Sequence, residues 1–176
     1  MFNLQLFAEA TKKAVDGKQI IYLFRILSKA SETDAVAMAF TTENERSKSN
    51  EGETIETKDG GINIPKIETE ISTTAILAVG DPLADELETA MDNGEKIEIW
   101  EANLAEPVGE GSNKFKGRYF QGVISEFTLA TPAEDHAEYE CNFAINGAGV
   151  KGDVTVTAEQ QEIAAYVFKD TTKTGA

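Results

Sequence analysis

The chain has 176 residues, with 16 Lys and Arg against 31 Asp and Glu and a formal net charge of −15. This length suits one domain with appended arms, and 41% hydrophobic residues exclude a disordered composition. Acidity on this scale repels phosphate backbones and anionic lipid, which disfavours stable binding of nucleic acid or of a membrane surface.

The single cysteine, Cys141, excludes an intrachain disulfide and fits assembly in a reducing compartment. The opening "MFNLQLFAEA" lacks a basic leading region and carries Glu9, so it does not read as a secretory signal. The most apolar run, "IIYLF" at 20–24, is far too short to span a membrane.

In chain order, residues 1–17 read as an arm, with Phe2, Leu4 and Leu6 at period two before a polar stretch. Next comes "KQIIYLFRIL" at 18–27. Ile20, Tyr22, Phe24 and Ile26 fall on one face, and Ile21, Leu23 and Leu27 on the other, interrupted by Arg25. Apolar residues on both faces predict a central strand covered on both sides. "AVAMAF" at 35–40 is a weaker strand candidate. Residues 41–61, "TTENERSKSNEGETIETKDGG", are polar and charged. They read as a long loop or an extended hairpin, and a segment of this kind in a compact domain marks a functional element.

In "INIPKIETEISTTAIL", Ile67, Thr69 and Ile71 face one way and Lys66, Glu68 and Glu70 the other. Pro65 near its start suits a strand beginning or an edge. "GDPLADELETAMDNG" predicts a helix over 82–92: Asp81 as N-cap, Pro82 at the first turn, a stripe of Leu83, Leu87, Ala90 and Met91, and the stop Asn93-Gly94. "KIEIWEAN" at 96–103 is a strand with Ile97 and Ile99 on one face and Glu98 and Trp100 on the other. "KFKGRYFQGVISEFTLAT" at 114–131 reads as a long strand or two, with Tyr119, Val123, Phe127 and Leu129 in register and Gly117 and Gly122 as bends. After the turn "PAEDH", "AEYECNFAIN" returns as a half-buried strand. Tyr139, Cys141, Phe143 and Ile145 oppose Glu138, Glu140 and Asn142 on it. "GAGVKGD" is a Gly-rich connector. "VTVTAEQQEIAAYVF" begins as a strand and passes through the capping box "TAEQ" into a short helical face of Ile163, Tyr166 and Val167. The fold class is therefore mainly β: an antiparallel sandwich or barrel of two packed sheets with one flanking helix.

Catalytic signatures are sparse. His136, the one histidine, sits in "AEDHAE" without a second His or Cys nearby, so a solvated turn outweighs a metal site. Cys141 lies on an apolar strand face, where a thiol serves as a small hydrophobe. "GAGVKGD" lacks the spacing of a phosphate-binding loop, and "DNGEK" lacks the alternating ligands of a calcium loop. The carboxylates Glu68, Glu70, Glu98, Glu138 and Glu140 are spread along strand faces rather than paired as in a glycosidase. Two accounts fit them: a solvated face, the commoner use of charge, or a face that meets passing DNA and must not hold it. No cofactor or metal is implied.

The order of elements is similar to the major tail protein of long non-contractile phage tails, in the TP901-1-like family from phages of Gram-positive hosts. The resemblance is carried by "GKQIIYLFRIL", "TENERSKSNEGETIETKDG", "ISTTAILAVGDPLADELETAMDNGEKIEIWE", "NKFKGRYFQGVISEF", "CNFAINGAGVKGDVTVT" and "AAYVFKDTT", and it covers nearly all of residues 17–172. It implies a structural, non-enzymatic subunit: an N-terminal arm at 1–17, a tail-tube sandwich at 18–168 and a flexible tail at 169–176. Six copies form a ring, and rings stack into a tube around an acidic lumen that conducts DNA without stable binding. The carboxylates assigned to that lumen are Glu68, Glu70, Glu98, Glu138 and Glu140. The assembly contacts are Phe2, Leu4 and Leu6 in the arm and Arg46, Lys48, Glu53, Ile55 and Lys58 in the loop 41–61. The partners implied are further copies of the chain and the tape-measure, tail-tip and tail-terminator proteins. The place implied is the virion tail, assembled in the host cytoplasm without membrane insertion. Three readings compete: a ligand-binding β-barrel, a carboxylate-dependent glycan-active enzyme, and a secretion-system tube protein of the same ring architecture.

Overall fold

The computed structural model describes residues 13–164. Phe2, Leu4, Leu6, Tyr166, Val167 and the tail 169–176 lie outside the described residues. Seven strands form one antiparallel sheet: β1 (Ile20–Ile26), β2 (Thr41–Asn50), β5 (Ile67–Ile76), β6 (Lys96–Pro107), β7 (Lys114–Ala130), β8 (Glu138–Ile145) and β9 (Val150–Thr155). Their order is β1-β6-β7-β8-β5-β2, with β9 also on β7. The two remaining strands, β3 (Glu53–Thr57) and β4 (Gly60–Ile64), pair only with each other.

The sheet folds over at β7. The N-terminal part of β7 pairs with β6 and β9, and its C-terminal part pairs with β8. Gly122 stands where the ladders overlap, opposite Ile97 on one side and Ile145 on the other. A Cβ on Gly122 would lie 2.4 Å from the Ala144 carbonyl oxygen, so only glycine fits this bend. The two packed layers of the sandwich are thus halves of one sheet. Phe24 of β1 stacks on Phe143 of β8 at 5.2 Å between ring centres, although the two strands are far apart in the sheet order. One core takes Phe24, Ile97, Ile99 and Phe120 from one half and Ile71, Ala75, Tyr139, Cys141 and Phe143 from the other.

Helix α1 (Leu83–Asp92) packs Leu83, Ala84, Leu87 and Ala90 into this core. The Asp81 carboxylate accepts the Leu83 N–H at 3.0 Å, so the helix starts one residue later than predicted, with the predicted cap in place. Gly94 ends it at φ 64. The Gly94 N–H donates to the Met91 carbonyl and the Glu95 N–H to that of Ala90, the paired bonds of a left-handed glycine stop. The capping box also forms: the Thr157 hydroxyl accepts the Gln160 N–H, and the Gln160 side chain accepts the Thr157 N–H. It opens α2 (Ala158–Ala164).

Four expectations are corrected. β1 is covered on both faces but is terminal, not central: its outer edge holds one bridge, Phe24 to Val36. Apolar residues on both faces report layers above and below a strand, not neighbours beside it. The strand expected at 35–40 reduces to that bridge. Residues 41–61 are not a loop. Thr41–Asn50 pairs along β5, and 53–57 with 60–64 make an exposed two-stranded ribbon, so removing 41–61 would take out a sheet strand. In β7, a bulge between Ile124 and Glu126 inserts one residue. It puts Phe120, Ile124 and Phe127 on the core side and leaves Tyr119 and Val123 off the face of Phe127.

Candidate assembly surface

The outer face of the β7–β8–β5–β2 half is an acidic field. Cross-strand pairing puts Glu43 and Glu45 of β2, Glu68 and Glu70 of β5, Glu138 and Glu140 of β8, and Glu126 of β7 on it. No Lys or Arg occupies a strand position on this face; Lys66, at the approach to β5, pairs with Glu68 at 2.6 Å. The glutamates alternate with small polar or apolar residues along each row. Glu43, Thr74, Glu140 and Thr128 make one row, and Glu45, Ser72, Asn142 and Glu126 the next. No two carboxylates are paired directly across strands, which avoids the repulsion that like charges suffer there. The Ser72 hydroxyl donates to Glu140 at 3.2 Å.

Four of the five sequence-assigned carboxylates, Glu68, Glu70, Glu138 and Glu140, are brought together on this face. Glu98 is not: it is 6% exposed and lies on the outer face of the other half. It takes Arg25 Nε at 2.8 Å and the Tyr119 hydroxyl at 2.6 Å, while Arg25 lies over the Trp100 ring at 5.0 Å. Burial, helped by Glu98, pushes the Tyr119 phenol up. Glu98 is a paired structural charge because Arg25 stands directly opposite it on β1. Glu43, Glu45 and Glu126 were missed. The first two show the same period-two pattern once 41–50 is read as a strand.

Arg46 is likewise withdrawn from surface contacts. It reaches from β2, the last strand in the order, to Glu101 on β6 at 2.6 Å. Glu101 also accepts the Tyr22 hydroxyl at 2.7 Å and pairs with Arg118 at 3.9 Å. The cluster ties the two ends of the strand order together across the rim of the sandwich. The Glu101 carboxylate raises the Arg46 guanidinium, and burial, then Glu101, raises the Tyr22 phenol.

Lys48, Glu53, Ile55 and Lys58 are exposed. On the ribbon, Ile55 pairs with Ile62 and Glu53 with Ile64, so one face carries three isoleucines in solvent.

Catalytic alternatives find little support among the described residues. His136 is exposed in its turn and Cys141 is fully buried; burial pushes the Cys141 thiol up to about 12. Among the described residues no three His, Cys, Asp or Glu converge on one point, and no helix is long and apolar enough to cross a membrane. An apolar cleft of 260 Å³ lies between β1 and α1, lined by Phe24, Ile26, Leu83 and Leu87 among others. It is smaller than the usual ligand pocket of about 300–1,000 Å³.

Comparison with known proteins agrees with this picture. The chain is 36% identical over 162 residues to a protein of Staphylococcus phage phiMR25 whose name assigns it to the tail, covering 89% of this chain and 82% of that one. The fold is similar to that of the SPP1 tail tube, with a TM-score of 0.68 at 19% identity over 93% of this chain and 95% of that one. It is also similar to the tail of a gene transfer agent particle refined with C6 symmetry, with a TM-score of 0.59 at 15% identity over 78% and 98%. Residues 14–151 match the family model described as phage tail tube protein, and the chain belongs to that family.

Proposed function

We propose that this chain is a structural subunit whose copies join edge to edge into six-membered rings. The rings stack into a tube, and the acidic face lines a lumen through which DNA passes at ejection. The observation that carries this reading is the pairing of the acidic half with its two free edges. Among the described residues, the outer edge of β2 has no ladder partner, and β7 loses β6 beyond Val123. Unpaired strand edges recruit other strands, so β2 of one copy meets β7 of the next and the glutamate field becomes continuous. Six such four-stranded units, at about 4.8 Å between strands and a tilt of about 40°, close into a barrel roughly 50 Å across, backbone to backbone. A wall of carboxylates gives a phosphate backbone no cation to settle on. By the resemblance in sequence, the tube is of the TP901-1-like type. Its partners are the tape-measure protein in the lumen and tail-tip and tail-terminator proteins at the ends. Assembly takes place in the host cytoplasm and the product is the virion tail.

Negative-stain electron microscopy of the concentrated full chain, beside its solution mass, tests the reading. Hollow tubes or six-fold rings are expected. A chain that stays monomeric even with its tail-tip and tape-measure partners overturns it. Replacing Glu68, Glu70, Glu138 and Glu140 together by Gln is expected to leave tubes intact and to slow DNA release. Unchanged release would remove these residues from the lumen wall.

A further inference from the structure

The long hairpin of β2 and β5 has an uncovered apolar patch at each end. At one end is the isoleucine face of the ribbon, where Ile55, Ile62 and Ile64 are each about half exposed. A two-stranded ribbon is marginal by itself, and nothing in its own chain covers this face. At the other end stands Phe40, immediately before β2. It is 67% exposed and has φ 50, a left-handed conformation that a bulky residue rarely adopts. Its carbonyl accepts the Ile76 N–H at 3.1 Å, which places it beside Leu77. Leu77 is partly exposed, and Val79, two residues on, is fully exposed. The fold gains no burial from this strained aromatic, and backbone strain kept without such a return marks a functional position.

We propose that the isoleucine face of the ribbon docks head to tail on the Phe40–Leu77–Val79 patch of the next copy along the tube axis. This rests on the tube reading and names the two surfaces that stack one ring on another. The patches are separated by the lengths of β2 and β3, roughly 50 Å at about 3.4 Å per residue, so one chain cannot bring its own together. A contact between two different patches of identical copies does not close on itself and propagates as a filament. Charge favours the same partner. The receiving end carries Asp81, Glu134, Asp135 and Glu138, with no Lys or Arg in 77–82 or 131–138. The ribbon's one cation, Lys58, sits beside Asp59 in its turn, the part that projects furthest.

The test uses two full-length variants, Phe40→Asp and Ile55→Asp/Ile62→Asp, with the wild type. Asp tolerates the left-handed conformation better than Phe, so Phe40→Asp is expected to melt no lower than wild type. Each variant is expected to form single rings and to need about tenfold more protein to stack them. Because each keeps one good end, a 1:1 mixture is expected to give two-ring stacks and no tubes. Tubes from either variant at the wild-type concentration, or a mixture without two-ring stacks, overturn the axial contact while leaving the tube reading in place. A variant that loses its rings as well puts its patch inside the ring and also overturns it. A wild type that makes neither rings nor tubes removes the tube reading, and this contact with it.

Discussion

The two halves of the folded sheet share one inner face and differ on their outer faces. On the β1–β6–β7 side the outer face is covered: Leu23, Ala102, Phe115, Val154 and Val156 form a second small core, flanked by Ala35 and Ala37. Gln160 of α2 ties down this flank by donating to the Ala35 carbonyl at 3.0 Å. On the β7–β8–β5–β2 side the outer face is bare and carries the glutamates. Both halves are built from alternating strands, so alternation does not decide which face meets water. A further layer decides it, and only one half has one.

The strongest way to break this pairing of halves is at their shared face. Phe143→Ala removes the ring that stacks on Phe24 across the fold and is expected to cost about 3–5 kcal/mol, read from the denaturant midpoint. A loss under about 1 kcal/mol would mean that the halves do not depend on that stack. The rim is weaker. Glu101→Ala leaves Arg46 and the Tyr22 hydroxyl without their acceptor, at about 1–3 kcal/mol. The lower part of that range is expected, because Arg46 is 28% exposed and water replaces part of the bond. A double-mutant cycle with Arg46→Met measures the pair, and a coupling of zero would dismiss the tie between strand ends.

Alkali separates the halves more gently. Cys141 and Tyr139 belong to β8, the strand that bears Glu138 and Glu140 on its other side. Below pH 9, the ordinary thiol value, Cys141 keeps its proton folded or unfolded. Above it the unfolded chain releases the proton and the folded chain, held up to about 12, does not. Stability therefore falls as pH rises, by about 1 kcal/mol between pH 9 and 10. Above pH 10 the raised phenols of Tyr22 and Tyr139 add to the fall. Cys141→Ala is expected to flatten the profile between pH 9 and 10, whatever its baseline. A wild type already flat there would mean that water reaches the thiol.

Local signals made much of this fold legible. The α1 caps, the hairpin of β7 and β8 and the Thr157 capping box each rest on a few neighbouring residues, and each forms as read. What escaped depends on contacts across the fold. Glu98 and Glu70 occupy the same place in an alternating pattern, but only Glu98 has Arg25 opposite it and a tyrosine hydroxyl above it. The Arg25 that interrupts an apolar face was the available clue. Glu101, which joins β1, β2 and β6, could not be read from spacing because its partners lie 55 and 79 residues away. The bulge in β7 carries no Gly or Pro, and one inserted residue reverses every side chain beyond it.

The sharing of β7 has a mechanical consequence. The strand is hydrogen-bonded along both edges, so the two halves have no seam between them. A pull on the free edge of β2 is carried sideways through β5, β8 and β7 to β6 and β1. It meets many bonds loaded in parallel, which must yield together rather than one after another. The molecule is a creased plate, and its crease at Gly122 is bonded on both sides. A wall made of such plates can flex under a passing load without tearing along the crease.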